Sequence, residues 1–202
     1  MSAGVLLIGM YVRDAKNRDE VWLLDSLEEL GLDDGSFRSR DYVIALDEES
    51  GEKAGFGRIR VHKTDEPFCE VTCVGVSELW RGQGVGAHVV ERLVDRAAAE
   101  AFDTVYGFTS DHGYCAQFGF EAVDAEDLPS GPRKRLDGVR EADADAIALR
   151  LDRESFSMPE RLRERFKVVA PASVGDAEPE LTAEDFGYDE ETPTKYSTNL
   201  RR

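Results

Sequence analysis

Apolar residues in this chain gather into short stretches, some alternating with polar positions and some continuous, set off by turn-forming residues. Residues 5–12, 41–46 (DYVIAL) and 54–62 (AGFGRIRVH) read as strands on that pattern. Between the first two, Val21, Leu24, Leu27 and Leu30 recur at helical spacing and predict a helix over 19–32. Residues 68–76 (FCEVTCVGV), rich in β-branched side chains, predict a fourth strand. Residues 84–101 then form an amphipathic pattern with Val89, Val90, Leu93, Val94 and Ala97 on the apolar side. A strand over 104–109, a short helix near 111–118 and a strand near 121–124 follow. The order β-α-β-β-β-α-β-α-β belongs to a mixed α/β layer architecture.

After Pro129 the character changes. Residues 146–151 (AIALRL) predict one more strand. Residues 157–167 predict a short helix with Ser157 as N-cap, Pro159 in the first turn and Glu160 at N3. From 168 onward the chain is acidic and poor in large aliphatics, with Pro171, Pro179 and Pro193, and reads as a tail. The expected organisation is one domain over 1–130, a strand/helix extension over 131–167 and a tail over 168–202, without internal repeats. The N-terminal patch Val5-Leu6-Leu7-Ile8 lacks a basic flank and a cleavage site, so it reads as strand; Met10 is an alternative start. No apolar run approaches the roughly 18–20 residues of a membrane span.

Charge narrows the partners. The 42 acidic and 25 basic side chains give a formal charge of −17. Such a surface repels polyanions, which argues against nucleic acid and against anionic membranes. The basic residues are 6 Lys and 19 Arg, set against 20 Asp and 22 Glu. An acidic, Lys-poor surface suits a cytoplasm with molar salt, where the Debye length falls to about 3 Å. In this the chain resembles haloarchaeal proteins, although an ordinary acidic protein stays open. Cys69, Cys73 and Cys115 form no CxxC, and His62, His88 and His112 have no ligand spacing, so no metal site is expected.

The chemistry concentrates in residues 74–87, VGVSELWRGQGVGA. A strand ends at Val76, and a turn containing Gly82, Gly84 and Gly86 opens the long helix. Bare backbone N–H groups at a helix start form an anion cradle, with a pyrophosphate as natural occupant. On this motif alone, a tight turn that binds nothing stays open. The segment lacks the Lys of a P-loop, and it lies after four strands rather than in the first βα turn of a dinucleotide fold.

Arg81-Gly82-Gln83-Gly84-Val85-Gly86 matches the [QR]-x-x-G-x-[GA] signature of the GCN5-related N-acetyltransferases (GNAT), which residues 10–130 resemble in element order. Val76, five residues before Arg81, sits where that family ends its fourth strand, and Phe118-Gly119-Phe120 resembles its GF turn. The resemblance implies the GNAT fold, a central mixed, mostly antiparallel sheet of six to seven strands flanked by helices. It also implies acetyl-CoA as co-substrate. Val74, Gly75 and Val76 would then face the pantetheine arm, and the N–H groups from Arg81 to Ala87 the pyrophosphate. Glu70, six residues before Val76, stands where several members of that family carry a catalytic glutamate, which implies a general base acting with a raised pKa or through water; an ordinary charge at a strand start stays open. Strand alternation would put Glu70 on one face with Thr72, Val74 and Val76. The acid position, often Tyr in the family, is Cys115 here with Tyr114 beside it, so either residue, or solvent alone, would protonate the thiolate. Glu28 and Glu29, at the end of the first helix, are further candidates to meet the amine, with a solvated helix end as the favoured reading.

The expected function is acetyl-CoA-dependent N-acetyl transfer to a small-molecule or protein amine in the cytoplasm. A non-catalytic acetyl-CoA-binding module is the alternative. A homodimer through a tail bearing Phe186, Tyr188 and Tyr196 is a third reading.

Overall fold

A computed structural model describes residues 9–32 and 34–167. The alternating stretches form β1 (Met10–Asp14), β2 (Tyr42–Asp47), β3 (Lys53–His62), β4 (Phe68–Val76), β5 (Thr104–Thr109), β6 (Glu121–Val123) and β7 (Ile147–Asp152). They join in a single seven-stranded sheet ordered β1-β2-β3-β4-β5-β7-β6, antiparallel throughout except between β4 and β5. The helices are α1 (Glu20–Glu29), α2 (Val85–Ala99), α3 (His112–Ala116), α4 (Ser130–Arg140) and α5 (Glu160–Phe166). The expected mixed, mostly antiparallel sheet with flanking helices is what the chain forms. Expectations for the start of the first strand and for the tail, with its proposed dimer contacts, lie outside the described residues.

Side-chain alternation sorts the core into two layers. On one face α2 buries Val85, Val89, Val90, Leu93, Val94 and Ala97 against Val43, Ala45, Ile59, Val105 and Leu149. On the other, α1 sets Leu23 and Leu27 on Tyr42, Ile44 and Phe56, and α4 sets Leu136 against Phe68, Tyr106 and Ala148. A buried Arg58 ties down the chain after α1: its guanidinium pairs with Asp34 and Asp41 and donates to the Ser36 carbonyl at 2.9 Å. The Tyr42 hydroxyl donates to Asp34 at 2.5 Å. Charged groups this far from water persist only when paired and hydrogen-bonded in this way.

The C-terminal third is woven into the sheet. β7 lies between β5 and β6, pairing Thr104↔Asp152 through Thr109↔Ile147 on one side and Glu121↔Arg150 through Val123↔Ala148 on the other. The extension expected beyond residue 130 therefore supplies an inner strand. It also supplies α4, which sequence pattern does not predict, since SGPRKRLDGVR carries two glycines and a proline and buries only Pro132 and Leu136. The last helix starts at Glu160 with Pro159 as its N-cap; Ser157, expected in that role, donates its backbone N–H to the Phe118 carbonyl at 3.1 Å.

Candidate active site

The site begins with an irregularity in β4. Arg58 pairs with Thr72, yet Phe56, two residues along β3, pairs with Gly75, and Cys73 between them has φ +50°. One extra residue in β4 inverts the alternation beyond it. Glu70 and Thr72 therefore share the face of Arg58, whereas Val74 and Val76 turn to the α2 side and pack into that core. The expected common face of Glu70 with Val74 and Val76 is corrected by this bulge.

β4 and β5 pair only at Cys69↔Val105 and Glu70↔Tyr106. Past that point the strands part, and two clefts meet at the gap. The first, about 350 Å³, is lined by Val74, Gly75, Val76, Arg81, Gly82, Gly84, Val85 and Gly86, with Leu30, Leu32, Trp80, Tyr114, Leu162 and Arg165. The second, about 400 Å³, includes Thr72, Cys73, Gly107, Phe108, Thr109, Asp111 and Cys115. Val74, Gly75, Val76, Gly86, Leu32 and Tyr114 line both.

The glycine turn is built by the end of β4 and the start of α2. Arg81 Nε donates to the Val76 carbonyl at 3.2 Å and so closes the turn. Gly84, at φ +81°, is the N-cap of α2; the first N–H groups of a helix have no intrahelical acceptor, and Gly84, Val85 and Gly86 line the first cleft. A Cβ on Gly86 would lie 2.7 Å from the Tyr114 hydroxyl oxygen, so the bare backbone there is what admits the tyrosine. Eight of the ten expected binding residues line this cleft. Ala87 is buried in the core, and the Gln83 amide donates to the Leu79 carbonyl at 3.5 Å. Among the described residues the charged groups lining the first cleft are Arg81 and Arg165, with no carboxylate. That local balance suits an anion despite the overall charge, and the donors and dipole of the helix start suit a phosphate-bearing ligand such as coenzyme A.

Glu70 stands at the apex where the strands part, 1% exposed. Arg135 of α4 grips it through Nε at 3.1 Å from Oε1 and 2.9 Å from Oε2, and through Nη2 at 2.9 Å from Oε1. His62 Nε2 lies 2.5 Å from Oε2 and its ring stacks on Phe68. Burial pushes the Glu70 pKa up, but the bonds from His62 and Arg135 outweigh it and hold the carboxyl below the usual glutamate range. Glu70 lines neither cleft. A general base needs an oxygen free to take the proton, and both oxygens of this carboxylate are engaged by Arg135 and His62. Neither Arg135 nor His62 is a sequence candidate: the helix that carries Arg135 has no clear pattern, and His62 lies in a strand with no motif around it.

Tyr114 and Cys115 both reach the gap from α3. Tyr114 packs edge-on against Phe118 at 5.2 Å between centroids, and burial raises its pKa well above that of an ordinary phenol. Cys115 lines the second cleft, and burial, with a smaller contribution from Asp111, pushes its thiol up to about 11. Each therefore stays protonated at neutral pH. Glu28 and Glu29 are exposed at the end of α1 and line neither cleft.

The sequence profile of the acetyltransferase (GNAT) family matches residues 9–120. Among solved structures, N-acetylglutamate synthase from Neisseria gonorrhoeae, complexed with coenzyme A and N-acetyl-glutamate, is similar at 18% identity and a TM-score of 0.58. That match covers 70% of this chain and 34% of the synthase, so the chain spans about a third of that protein's length. A Mycobacterium tuberculosis protein in complex with CoA matches at 18% identity and a TM-score of 0.61, covering 70% of this chain and 98% of that one. Arabidopsis thaliana Naa50, in complex with the bisubstrate analogue CoA-Ac-MVNAL, matches at 14% identity and a TM-score of 0.51, covering 71% and 99%. With the parted strands, the glycine turn and the profile in agreement, this chain belongs to the GNAT acetyltransferase family.

Proposed function

We propose that the protein transfers an acetyl group from acetyl-CoA to a primary amine. The observation that carries this reading is the junction of two clefts at the gap between β4 and β5, with Tyr114 common to both. Acetyl-CoA, when bound, supplies an activated thioester. The glycine turn and Arg81 hold its pyrophosphate, and the unpaired edge of β4 from Val74 to Val76 aligns the pantetheine arm. The amine enters through the second cleft, where Asp111 is the acidic group among the described lining residues. An alkylamine of pKa near 10.4 costs about 4–5 kcal/mol to deprotonate at pH 7, so a nearby carboxylate and water that accept the proton lower the barrier. Asp111 fits that task better than Glu70, whose oxygens are taken by Arg135 and His62.

As the new N–C bond forms and the C–S bond breaks, negative charge gathers on sulfur. Tyr114 meets it with a hydrogen bond. Full transfer from Cys115, with its thiol near 11, to a thiolate of pKa about 8.5 is uphill by about 3 kcal/mol. Hydrogen bonding followed by solvent protonation is the easier course. The gonococcal synthase complex with N-acetyl-glutamate and the Naa50 complex with a peptide-bearing analogue support an amine as the acceptor class.

Titration calorimetry with acetyl-CoA at molar KCl, followed by turnover over a panel of amines, tests the proposal. One-to-one binding with turnover of at least one amine supports it, and no binding by folded protein defeats it. The clamped Glu70 favours a second reading, a binding module without catalysis, whose signature is tight acetyl-CoA binding and no turnover anywhere in the panel.

A further inference from the structure

The C-terminal helix α5 lies across the glycine turn. The Leu162 carbonyl oxygen comes so near Gly84 that a Cβ there would sit 2.5 Å from it. Leu162 and Met158 are buried in the same core as α2, and Phe166 stacks on His88 of α2 at 3.8 Å. Four basic side chains follow one another between 161 and 167. Arg163 pairs with Glu91 at 2.8 Å, Lys167 with Glu164 at 2.5 Å, and Arg161 donates to the Gln117 side chain at 2.9 Å. Arg165 is the one that lines the first cleft, where its Nη1 donates to the Gly82 carbonyl at 3.2 Å. Arg81, the residue before Gly82, lines the same cleft.

Resting on the acetyl-CoA reading above, we propose that Arg165 is a binding residue for the diphosphate of the co-substrate, acting together with Arg81. A guanidinium carries five donors in a planar fork, so holding the Gly82 carbonyl is compatible with a charge-assisted bond to a phosphate oxygen. The bond to Gly82 fixes the guanidinium beside the turn whose N–H groups face the same anion. In a chain of formal charge −17, the charged groups among the described residues of this cleft are two arginines, which favour an anion where the phosphates enter. The residue that provides this lies 45 positions beyond the end of the family match at residue 120.

The test is calorimetric titration of full-length wild type, Arg165→Ala, Arg165→Lys and Arg163→Ala with CoA, dephospho-CoA and pantetheine at one fixed salt concentration. Arg165→Ala is expected to weaken CoA and dephospho-CoA alike by about tenfold or more and to leave pantetheine unchanged. Arg165→Lys recovers part of the loss, and Arg163→Ala, which loosens α5 without touching the cleft, changes all three ligands little. Unchanged CoA affinity in Arg165→Ala overturns the proposal. So does an equal loss for pantetheine, which marks a packing role, or a loss confined to CoA, which moves the contact to the 3′-phosphate. Wild type that binds no CoA brings down the acetyl-CoA reading itself, a result distinct from wild type that binds with Arg165→Ala unaffected.

Discussion

Two carboxylates, Glu70 and Asp19, decide much of what single residues do here. Glu70 is recognisable by its place in the fourth strand, but its partners are not, because Arg135 reaches it from a helix without a sequence signature and across 65 positions. Replacing Glu70 by Gln removes the negative charge that balances Arg135 and His62, and is expected to cost about 2–3 kcal/mol of stability, read as a lower urea midpoint. Adding Arg135→Met to that variant should return part of the loss; two additive losses would contradict the pairing. At the gap, Tyr114→Phe should lower kcat about ten- to a hundredfold with little change in acetyl-CoA affinity, and Cys115→Ala should leave kcat within a few-fold of wild type. Asp19 is buried and receives Arg13 at 2.8 and 3.1 Å, the Lys16 N–H at 2.8 Å and Lys53 at 3.1 Å. Burial raises its pKa, but these partners outweigh burial and hold it far below the ordinary carboxylate value. A carboxylate depressed in the folded state contributes its full stabilisation above the unfolded pKa, about 3.9, and loses it as pH falls below that value. Thermal midpoints measured from about pH 6 downward should fall steeply below about pH 4, and Asp19→Asn should flatten that limb while lowering the plateau.

Elements were legible in proportion to how far their own residues hold them. The helix after the glycine turn carries its whole apolar stripe in sequence, and the strands carry their alternation. By contrast α4 is held by Leu136 and by Arg135 on Glu70, contacts invisible locally. The bulge at Cys73 left no mark either, because a β-branched run reads the same with one residue more or fewer, and that one residue decides which side chains face the clefts. The end of α2 offers a direct test of local sequence against backbone. Phe102 N–H donates to the Ala97 carbonyl at 2.9 Å and Ala101 N–H to the Ala98 carbonyl at 3.0 Å, while Ala101 takes φ +64°. That is a Schellman ending with alanine where glycine is favoured. Ala101→Gly is therefore expected to stabilise the protein by about 0.5–1 kcal/mol, a rise of about 2 °C in Tm. A lower Tm would mean that the left-handed turn is held by something other than its own conformational preference.

At the scale of the whole molecule, the charge that sets the chain apart works against its proposed ligand. A body of −17 repels an anion as it approaches, while Arg81, Arg165 and the start of α2 attract it once it arrives. The two effects act over different distances. Repulsion is summed over a surface tens of ångströms wide and is screened once the Debye length shrinks from about 8 Å at physiological salt to about 3 Å at molar salt. Attraction acts at hydrogen-bond range, inside a cleft walled by Leu30, Leu32 and Trp80, where ions of the solvent enter less readily. Salt should therefore remove more of the repulsion than of the attraction. Acetyl-CoA affinity is expected to rise as KCl goes from tenths molar to molar, with the association rate rising most because approach is where the long-range field acts. Stopped-flow binding at several KCl concentrations separates the two stages. An affinity that falls steadily with salt would mean that the arginine pair governs capture from a distance, and that the acidic surface has little part in it.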